Sequence, residues 1–166
     1  MTVRDCGIAQ NTVCLPTGKI DMPPLLFCCA FCTFAMTGLI WLVQLVHYPL
    51  MANVGPAQFV QYEKAHCQKI TPIVFPLMML ELISSIWIAF RPPVASPFSA
   101  SAGLWNSLAL ATILIWLSTA LVQVPLHRKL ENGFESGVHR RLVRSNWLRT
   151  LLWSVRSAGL GWILLG

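Results

Sequence analysis

Three histidines are the residues of this chain best suited to chemistry. His47, His66 and His127 are far apart in the sequence, yet each lies near the end of an apolar run, on the same predicted side of a membrane. Imidazole is the commonest metal ligand in proteins and a ready general base. We therefore predict that the three histidines converge on one site, where they bind a metal ion or act as acid and base. The alternative is that each imidazole faces water and lipid headgroups, which we expect of His139 because it stands beside two arginines.

Polar and aromatic side chains on the same helix faces complete this predicted site. At 100° per residue, the polar residues of the first apolar run form a face that ends at His47, and those of the third run form a face that ends at His127. The sequence has no His-Glu-x-x-His motif and no glycine-rich phosphate loop, so the bound group is predicted only as a metal ion, a heme or a pigment. The predicted cofactor-binding residues are Gln44, Tyr62, Trp116, Gln123 and Arg149.

An acid and a base lie deeper in the apolar runs. Glu81 is near the centre of run 71–90, and Arg156 lies within run 147–165. At 1.5 Å per residue both are about 15 Å from the start of their runs. An ionisable group at mid-bilayer normally faces other helices and has a partner. We predict that Glu81 and Arg156 pair, either as a salt bridge that fixes helix register or as catalytic residues that handle a proton or hold a ligand.

The apolar runs that carry these residues are predicted membrane spans. The chain of 166 residues is 55% hydrophobic and 11% charged, whereas soluble domains are ~25% charged. Runs of about 18 or more apolar residues mark transmembrane helices. We predict an all-α fold, a single transmembrane domain over residues 1–166 that forms a four-helix bundle. The predicted spans are about 25–46, 71–90, 102–124 and 147–165.

Two further helical features are predicted outside these spans. Residues 57–70 repeat apolar and titratable side chains at a spacing of three and four, which is typical of a short amphipathic helix on the cytoplasmic surface or over the mouth of the bundle. Asn132-Gly133 is a good helix stop and Ser136 a good N-cap. We therefore expect the third and fourth helices to turn back on each other as a hairpin.

The net charge of +6 is a signal of membrane topology. With four spans, both termini share one side with residues 91–101, and residues 47–70 and 125–149 lie on the other side. The second side carries eight Lys and Arg against three Glu, a net +5, while the first side is +1. By the positive-inside rule both termini lie outside the cytoplasm, as in a bacterial inner-membrane protein. The basic residues are then partners of lipid headgroups rather than of nucleic acid.

The six cysteines do not predict a disulfide scaffold. Three of them lie inside the first predicted span, and Cys67 lies on the reducing side. Only Cys6 and Cys14 are placed where a disulfide forms readily. The alternative is that both are free thiols.

Several motifs resemble those of known membrane proteins. The pattern Trp-Leu-Val-Gln-Leu-Val-His-Tyr-Pro-Leu from Trp41, followed by Tyr62, His66 and Glu81 in their local contexts, resembles an uncharacterised family of small four-span bacterial membrane proteins over residues 41–156. The helix that ends in Val-Pro-Leu-x-x-x-Leu, with the return through Asn-Trp-x-Arg-Thr, is also similar to the anthrone oxygenase-like membrane proteins. The first resemblance implies a four-span fold. The second implies oxidation of polycyclic aromatic compounds.

Two hypotheses of function follow. The first is a small membrane redox or oxygenase-like protein that holds a hydrophobic ligand, metal or heme-like cofactor near its cytoplasmic face. The alternative is a non-catalytic accessory subunit of a larger energy-transducing or photosynthetic membrane complex, or a homo-oligomer. Convergent histidines favour the first hypothesis. A stripe of small residues on the lipid side of the fourth span favours the second.

Overall fold

The computed structural model describes residues 24–93 and 100–165, and within these ranges the chain is all-α. Four long helices follow one another: α1 (Pro24–Met51), α2 (Pro56–Phe90), α3 (Ala102–Leu130) and α4 (Ser136–Leu165). The predicted fold class is therefore confirmed at the level of secondary structure. Cys6 and Cys14, the predicted disulfide pair, lie outside the described residues.

Local sequence signals explain where the helices begin and end. Gly55 is extended and Pro56 occupies the first turn of α2, where a missing N–H leaves no helical bond unmade. The Ser101 hydroxyl accepts a hydrogen bond from the Leu104 N–H at 3.2 Å and caps α3. After α3, Gly133 has a φ of 149°, which only glycine adopts readily. The chain reverses there into α4, which confirms the predicted turn between the third and fourth helices.

The predicted amphipathic helix at 57–70 is wrong as a separate element. These residues form the first part of α2, which runs for 35 residues and continues through Pro72 and Pro76. The predicted inner face is right, because Phe59 and Glu63 are fully buried. No glycine separates residues 57–70 from the apolar run that follows. An interior proline removes one helical hydrogen bond, but the inner face of α2 packs on the neighbouring helices on both sides of Pro72 and Pro76, which keeps the helix continuous.

Two widened turns lie just before prolines at the ends of α1 and α3. Val43–His47 in α1 and Thr119–Gln123 in α3 are π-helical, and Pro49 and Pro125 follow closely. A proline ring clashes with the carbonyl four residues before it in a regular α-helix, and the wider turn relieves that clash. Turns of this kind occur frequently at functional sites. In this protein both lie at the same end of the molecule.

The four helices pack around a shared core. Helices α1 and α3 each contact both α2 and α4. Buried side chains from the start of α1 meet those from the end of α2 and the end of α4, so consecutive helices run antiparallel. The end of α1 therefore lies beside the start of α2, the end of α3 and the start of α4. Core residues at that end include Tyr48, Met51, Phe59, Leu130 and Leu142.

Three of the helices indicate an integral membrane protein. By length and hydropathy, α1, α2 and α3 are each able to cross a membrane. The predicted fourth span at 147–165 does not meet the same criterion within α4. Arg149 and Arg156 lower its hydropathy, together with several serines and glycines, although both arginines are buried in the core. The outward faces of the helices carry large exposed apolar side chains, among them Leu45, Ile73, Leu121 and Leu151.

Candidate functional site

Glu81 and Arg156 meet in the middle of the core. Arg156 Nε lies 3.1 Å from Glu81 Oε1, and both side chains are buried. The same carboxylate accepts hydrogen bonds from the Thr33 hydroxyl at 2.8 Å and from the Trp153 indole N–H at 3.0 Å. The pairing predicted from helix depth is confirmed.

The guanidinium of Arg156 connects all four helices. Besides Glu81 on α2, it donates hydrogen bonds to the Thr33 hydroxyl on α1, the Ser85 hydroxyl on α2 and the Leu108 carbonyl on α3. Such a network fixes the relative rotation and depth of the helices. Removing one partner would leave the other charge buried and unpaired, which is strongly destabilising.

A second polar cluster contains a compact set of candidate metal ligands. Glu63 and Cys67 from α2 and His127 from α3 each offer one ligand atom, and these atoms lie within 4.8 Å of one another. Glu63 Oε1 is 2.5 Å from His127 Nδ1 and 3.7 Å from Cys67 Sγ. The Cys67 thiol donates to the Glu63 carboxylate and would lose its proton on binding a metal ion. Carboxylate, thiolate and imidazole together suit a first-row transition metal.

Two features of the groups around these three ligands fit a bound metal ion. Glu63 Oε2 is buried and has no hydrogen-bond partner among the described residues, and a cation would satisfy it. The other ring nitrogen of His127, Nε2, lies 3.2 Å from the Tyr48 hydroxyl. Metal-binding histidines almost always donate their second N–H to an oxygen in this way. Three protein ligands with a fourth position open are typical of catalytic metal sites.

His47 and His66 lie beside this set of ligands. The ring centroids of His47 and His66 are 4.2 Å apart and the rings are stacked, while the centroid of His66 is 5.7 Å from that of His127. The three histidines are thus close together. Of the three, only His127 belongs to the compact donor set. The Nε2 of His47 is buried without a hydrogen-bond partner among the described residues. The assignment of His47 and His66 as metal ligands stays a prediction.

A cavity of ≈ 230 Å³ opens next to the candidate metal ligands. Cys67 and His127 line it, and so do two of the predicted cofactor-binding residues, Gln123 and Arg149. An apolar wall with a few polar groups is the usual composition of a small-molecule site. The apolar lining includes Leu39, Ile40, Val43, Ile70, Val74 and Val124.

Gln44 is linked to this cavity through a short chain of hydrogen bonds. Arg149 Nη1 donates to Asn146 Oδ1 at 3.0 Å, and Asn146 Nδ2 donates to Gln44 Oε1 at 2.8 Å. All three side chains are buried. Gln44 therefore supports the cavity wall from the widened turn of α1.

The two remaining predicted cofactor-binding residues lie elsewhere. Tyr62 lines a shallow groove with His47 and His66. Trp116 donates its indole N–H to the Met78 carbonyl at 3.3 Å and packs between α2 and α3. Neither is among the residues that line the cavity of ≈ 230 Å³.

Sequence reasoning did not identify Glu63, Cys67 and Tyr48 as site residues. Glu63 is explained by the charged side of an amphipathic helix and Cys67 by a free thiol on the reducing side of the membrane. Tyr48 is explained by the preference of tyrosine for the membrane interface. One signal was present, since His66 and Cys67 lie three and four residues after Glu63, which puts both near Glu63 on one side of the helix.

The prediction that His139 lies on the surface is wrong. Its side chain is buried, and its Nε2 lies 2.9 Å from the Tyr48 carbonyl oxygen. The neighbouring Arg140 and Arg141 are exposed. Successive residues of a helix point 100° apart, so basic neighbours do not make a histidine a surface residue.

The fold and the site define an all-helical, membrane-type protein with a candidate metal centre beside an apolar cavity. No protein-family model, curated protein or solved structure matches the chain. The function is therefore argued from the geometry of the site, and both family resemblances stay predictions.

Proposed function

We propose that this protein binds a transition-metal ion through Glu63, Cys67 and His127 and holds a hydrophobic ligand in the adjacent cavity. The observation that carries the proposal is the compact donor set, whose atoms lie within 4.8 Å of one another. The unpartnered Glu63 Oε2 supports it, since a buried carboxylate oxygen normally has a partner. The cavity of ≈ 230 Å³ is smaller than the ~300–1,000 Å³ usual for drug-sized ligands, which favours a bare ion over a heme or pigment.

The activity that we propose is redox or oxygenase-like. Thiolate and imidazole ligands suit iron, copper or zinc, and iron or copper supplies electron transfer or oxygen chemistry when bound. The chain itself holds the ion, excludes water with the apolar wall and orients the ligand with Gln123 and Arg149. His47 and His66, stacked beside the donor set, are placed to accept or donate protons.

We also propose that α4 crosses the membrane, which makes the protein a transmembrane four-helix bundle with both termini outside the cytoplasm. The two arginines within residues 147–165, Arg149 and Arg156, are buried, so the outward face of this part of α4 is more apolar than its composition. With the basic segments on the cytoplasmic side, the candidate site lies near the cytoplasmic face. Exposed apolar residues on α4 include Leu148, Leu151, Val155 and Trp162.

The test is metal analysis of the protein purified in a mild detergent. We expect stoichiometric iron, copper or zinc in the wild type, and its loss in Glu63→Gln, Cys67→Ser and His127→Ala. Matched controls are Glu135→Gln at an exposed carboxylate and Cys28→Ser at a half-buried thiol. Both should keep the metal.

Cobalt substitution gives a second readout of the same site. A thiolate bound to Co²⁺ produces a charge-transfer absorption band, so the wild-type spectrum should contain this band and the Cys67→Ser spectrum should lack it. A wild-type protein that binds neither its own metal nor added Co²⁺ would overturn the proposal, as would full metal content in all three ligand variants.

The accessory-subunit hypothesis is less well supported. It depends on a stripe of small residues on α4 that is free to dock on a partner. A Cβ added at Gly159 would meet Leu108 Cδ2 at 2.9 Å, so this small residue already serves packing between α3 and α4. The close approach of His47, His66 and His127 favours the metal-binding hypothesis.

A further inference from the structure

Arg149 is a buried cation without an acidic partner. Its side chain is only 7% exposed. Among residues 24–93 and 100–165 the Glu carboxylates in contact with a basic side chain are Glu63, beside His127, and Glu81, beside Arg156, and Arg149 contacts neither. An unpaired charge removed from water is costly, above all in a membrane protein. The guanidinium carbon lies 5.1 Å from the centre of the Trp153 ring, and this cation–π contact offsets only part of the cost. A ligand with a negative charge would offset more of it.

One edge of the Arg149 guanidinium makes no hydrogen bond within the described residues. Nη1 donates to the Asn146 amide oxygen at 3.0 Å, which orients the group. In the part of the chain that the structure describes, Nε is buried without a partner and Nη2 makes no hydrogen bond. Nε and Nη2 together form the planar fork that binds a carboxylate or phosphate through two parallel hydrogen bonds.

Arg149 lines the cavity beside the candidate metal ligands. Glu131 also lines this cavity, but it forms no ion pair with Arg149 in the described ranges. Arg128, which is exposed, also contributes to the wall, and the rest of the wall is mainly apolar, as in Leu39, Val43 and Val74. A small hydrophilic anion would leave this wall against water, whereas a hydrocarbon chain would cover it favourably.

The size of the cavity limits how much of a ligand it encloses. At ≈ 230 Å³ it is below the ~300–1,000 Å³ that encloses a drug-sized molecule. It holds a headgroup and the first carbon atoms of a chain. The rest of a longer ligand must leave between the helices into the surrounding lipid.

We infer that the hydrophobic ligand of the proposed function is an anionic amphiphile whose charged headgroup pairs with Arg149. The unpartnered planar edge of the guanidinium fits a carboxylate best, such as that of a long-chain fatty acid. A lipid phosphate is also an anion that accepts two parallel hydrogen bonds from such an edge. The inference rests on the proposed function in one respect, the use of this cavity as the ligand site. It does not require that a metal ion be bound.

The first experiment compares radiolabelled palmitic acid with its methyl ester, bound at equilibrium to wild-type protein in a non-ionic detergent. The two probes share a chain and differ in charge. We expect the acid to bind at least about tenfold more tightly, which corresponds to about 1.4 kcal/mol. Equal affinity for acid and ester would overturn the inference without any variant being made.

Variants then locate the charge that recognises the acid. Arg149→Gln should reduce the affinity for the acid to that for the ester and leave the ester unaffected, whereas Arg144→Gln, an exposed arginine on the same helix, should change neither. If Arg149→Gln does not fold, Thr119→Trp, which fills the cavity from its wall, should abolish binding of both probes. Undiminished acid binding in Arg149→Gln or in Thr119→Trp would contradict the inference.

Competition separates the sources of the headgroup. Displacement of palmitate by another fatty acid but not by phosphatidylglycerol supports a carboxylate ligand, and equal displacement by the phospholipid supports a lipid phosphate. Displacement by acetate at similar concentrations would overturn the requirement for a hydrocarbon chain. Metal content measured in the same samples keeps the two proposals distinguishable, because a metal-loaded protein that does not prefer the acid contradicts this inference alone.

Discussion

The two buried polar regions of this protein differ in how completely their hydrogen bonds are made. Around Glu81 and Arg156, the carboxylate and the guanidinium have partners from all four helices. Around Glu63 and Arg149, a carboxylate oxygen and a guanidinium nitrogen are buried without partners in the described chain. We call the first region the complete region, because its carboxylate and guanidinium both have hydrogen-bond partners. The second has unused hydrogen-bonding groups that a metal ion and a ligand would satisfy.

A location in the middle of the core does not by itself indicate a functional site. Glu81 and Arg156 have the features of a structural ion pair, since their polar contacts are with other residues of the core. The region with features of a site lies at one end of the helices, next to the cavity and beside the two widened turns. Unsatisfied buried groups and irregular helix turns are more informative than depth.

The largest expected effect comes from breaking the complete region. Arg156→Gln should destabilise the protein by about 3–5 kcal/mol, because it leaves the Glu81 carboxylate buried and unpaired. Unfolding in detergent micelles measures this loss. The double variant with Glu81→Gln should lose less than the sum of the two single variants. Additive losses would show that the two residues do not stabilise each other.

A smaller effect is expected from Tyr48→Phe in the second region. The Tyr48 hydroxyl lies 3.2 Å from His127 Nε2, and removing it should weaken metal binding about 10–100-fold, as is usual for such outer contacts. Competition with a chelator measures the affinity. Tyr62→Phe is the matched control, because the Tyr62 ring stacks near His47 and makes no hydrogen bond to His127. An equal loss in both variants would argue against a specific role of Tyr48.

Packing near the complete region should tolerate little added volume. Gly159→Ala places a Cβ 2.9 Å from Leu108 Cδ2, so overpacking should outweigh the gain in helix propensity and cost about 1 kcal/mol. Gly161→Ala on the same helix meets nothing within 4 Å and should stabilise by roughly 0.5–1 kcal/mol. The midpoints of thermal unfolding of the two variants test this contrast. A stabilised Gly159→Ala would show that Leu108 moves aside easily.

The smallest effect on metal binding is expected from His47→Ala. His47 stacks on His66 but lies outside the compact donor set. Metal stoichiometry should stay at the wild-type value, with the affinity changed by only a few fold. Elemental analysis and chelator competition measure both. Complete loss of metal in His47→Ala would instead identify the three histidines as the ligands.

Much of the fold and part of the site follow from patterns along the chain. The inward polar faces of the first and third runs were predicted correctly, as shown by the burial of Gln44 and Gln123. The Glu81–Arg156 pair was predicted from depth, because helical rise converts residue number into distance. The donor set of Glu63, Cys67 and His127 was not predicted, since its members belong to two helices whose relative rotation no local pattern contains.

The sequence by itself determined the all-helical fold, the polar faces of the first and third helices and the matching positions of Glu81 and Arg156 along their helices, because periodicity and rise are local properties of the backbone. Only the tertiary structure decided that α2 is continuous, that His139 is buried and that Glu63 meets His127. The tertiary structure also decided which buried polar groups have hydrogen-bond partners. Glu81 and Glu63 are both buried carboxylates on α2, and they differ only in the side chains that neighbouring helices bring to them.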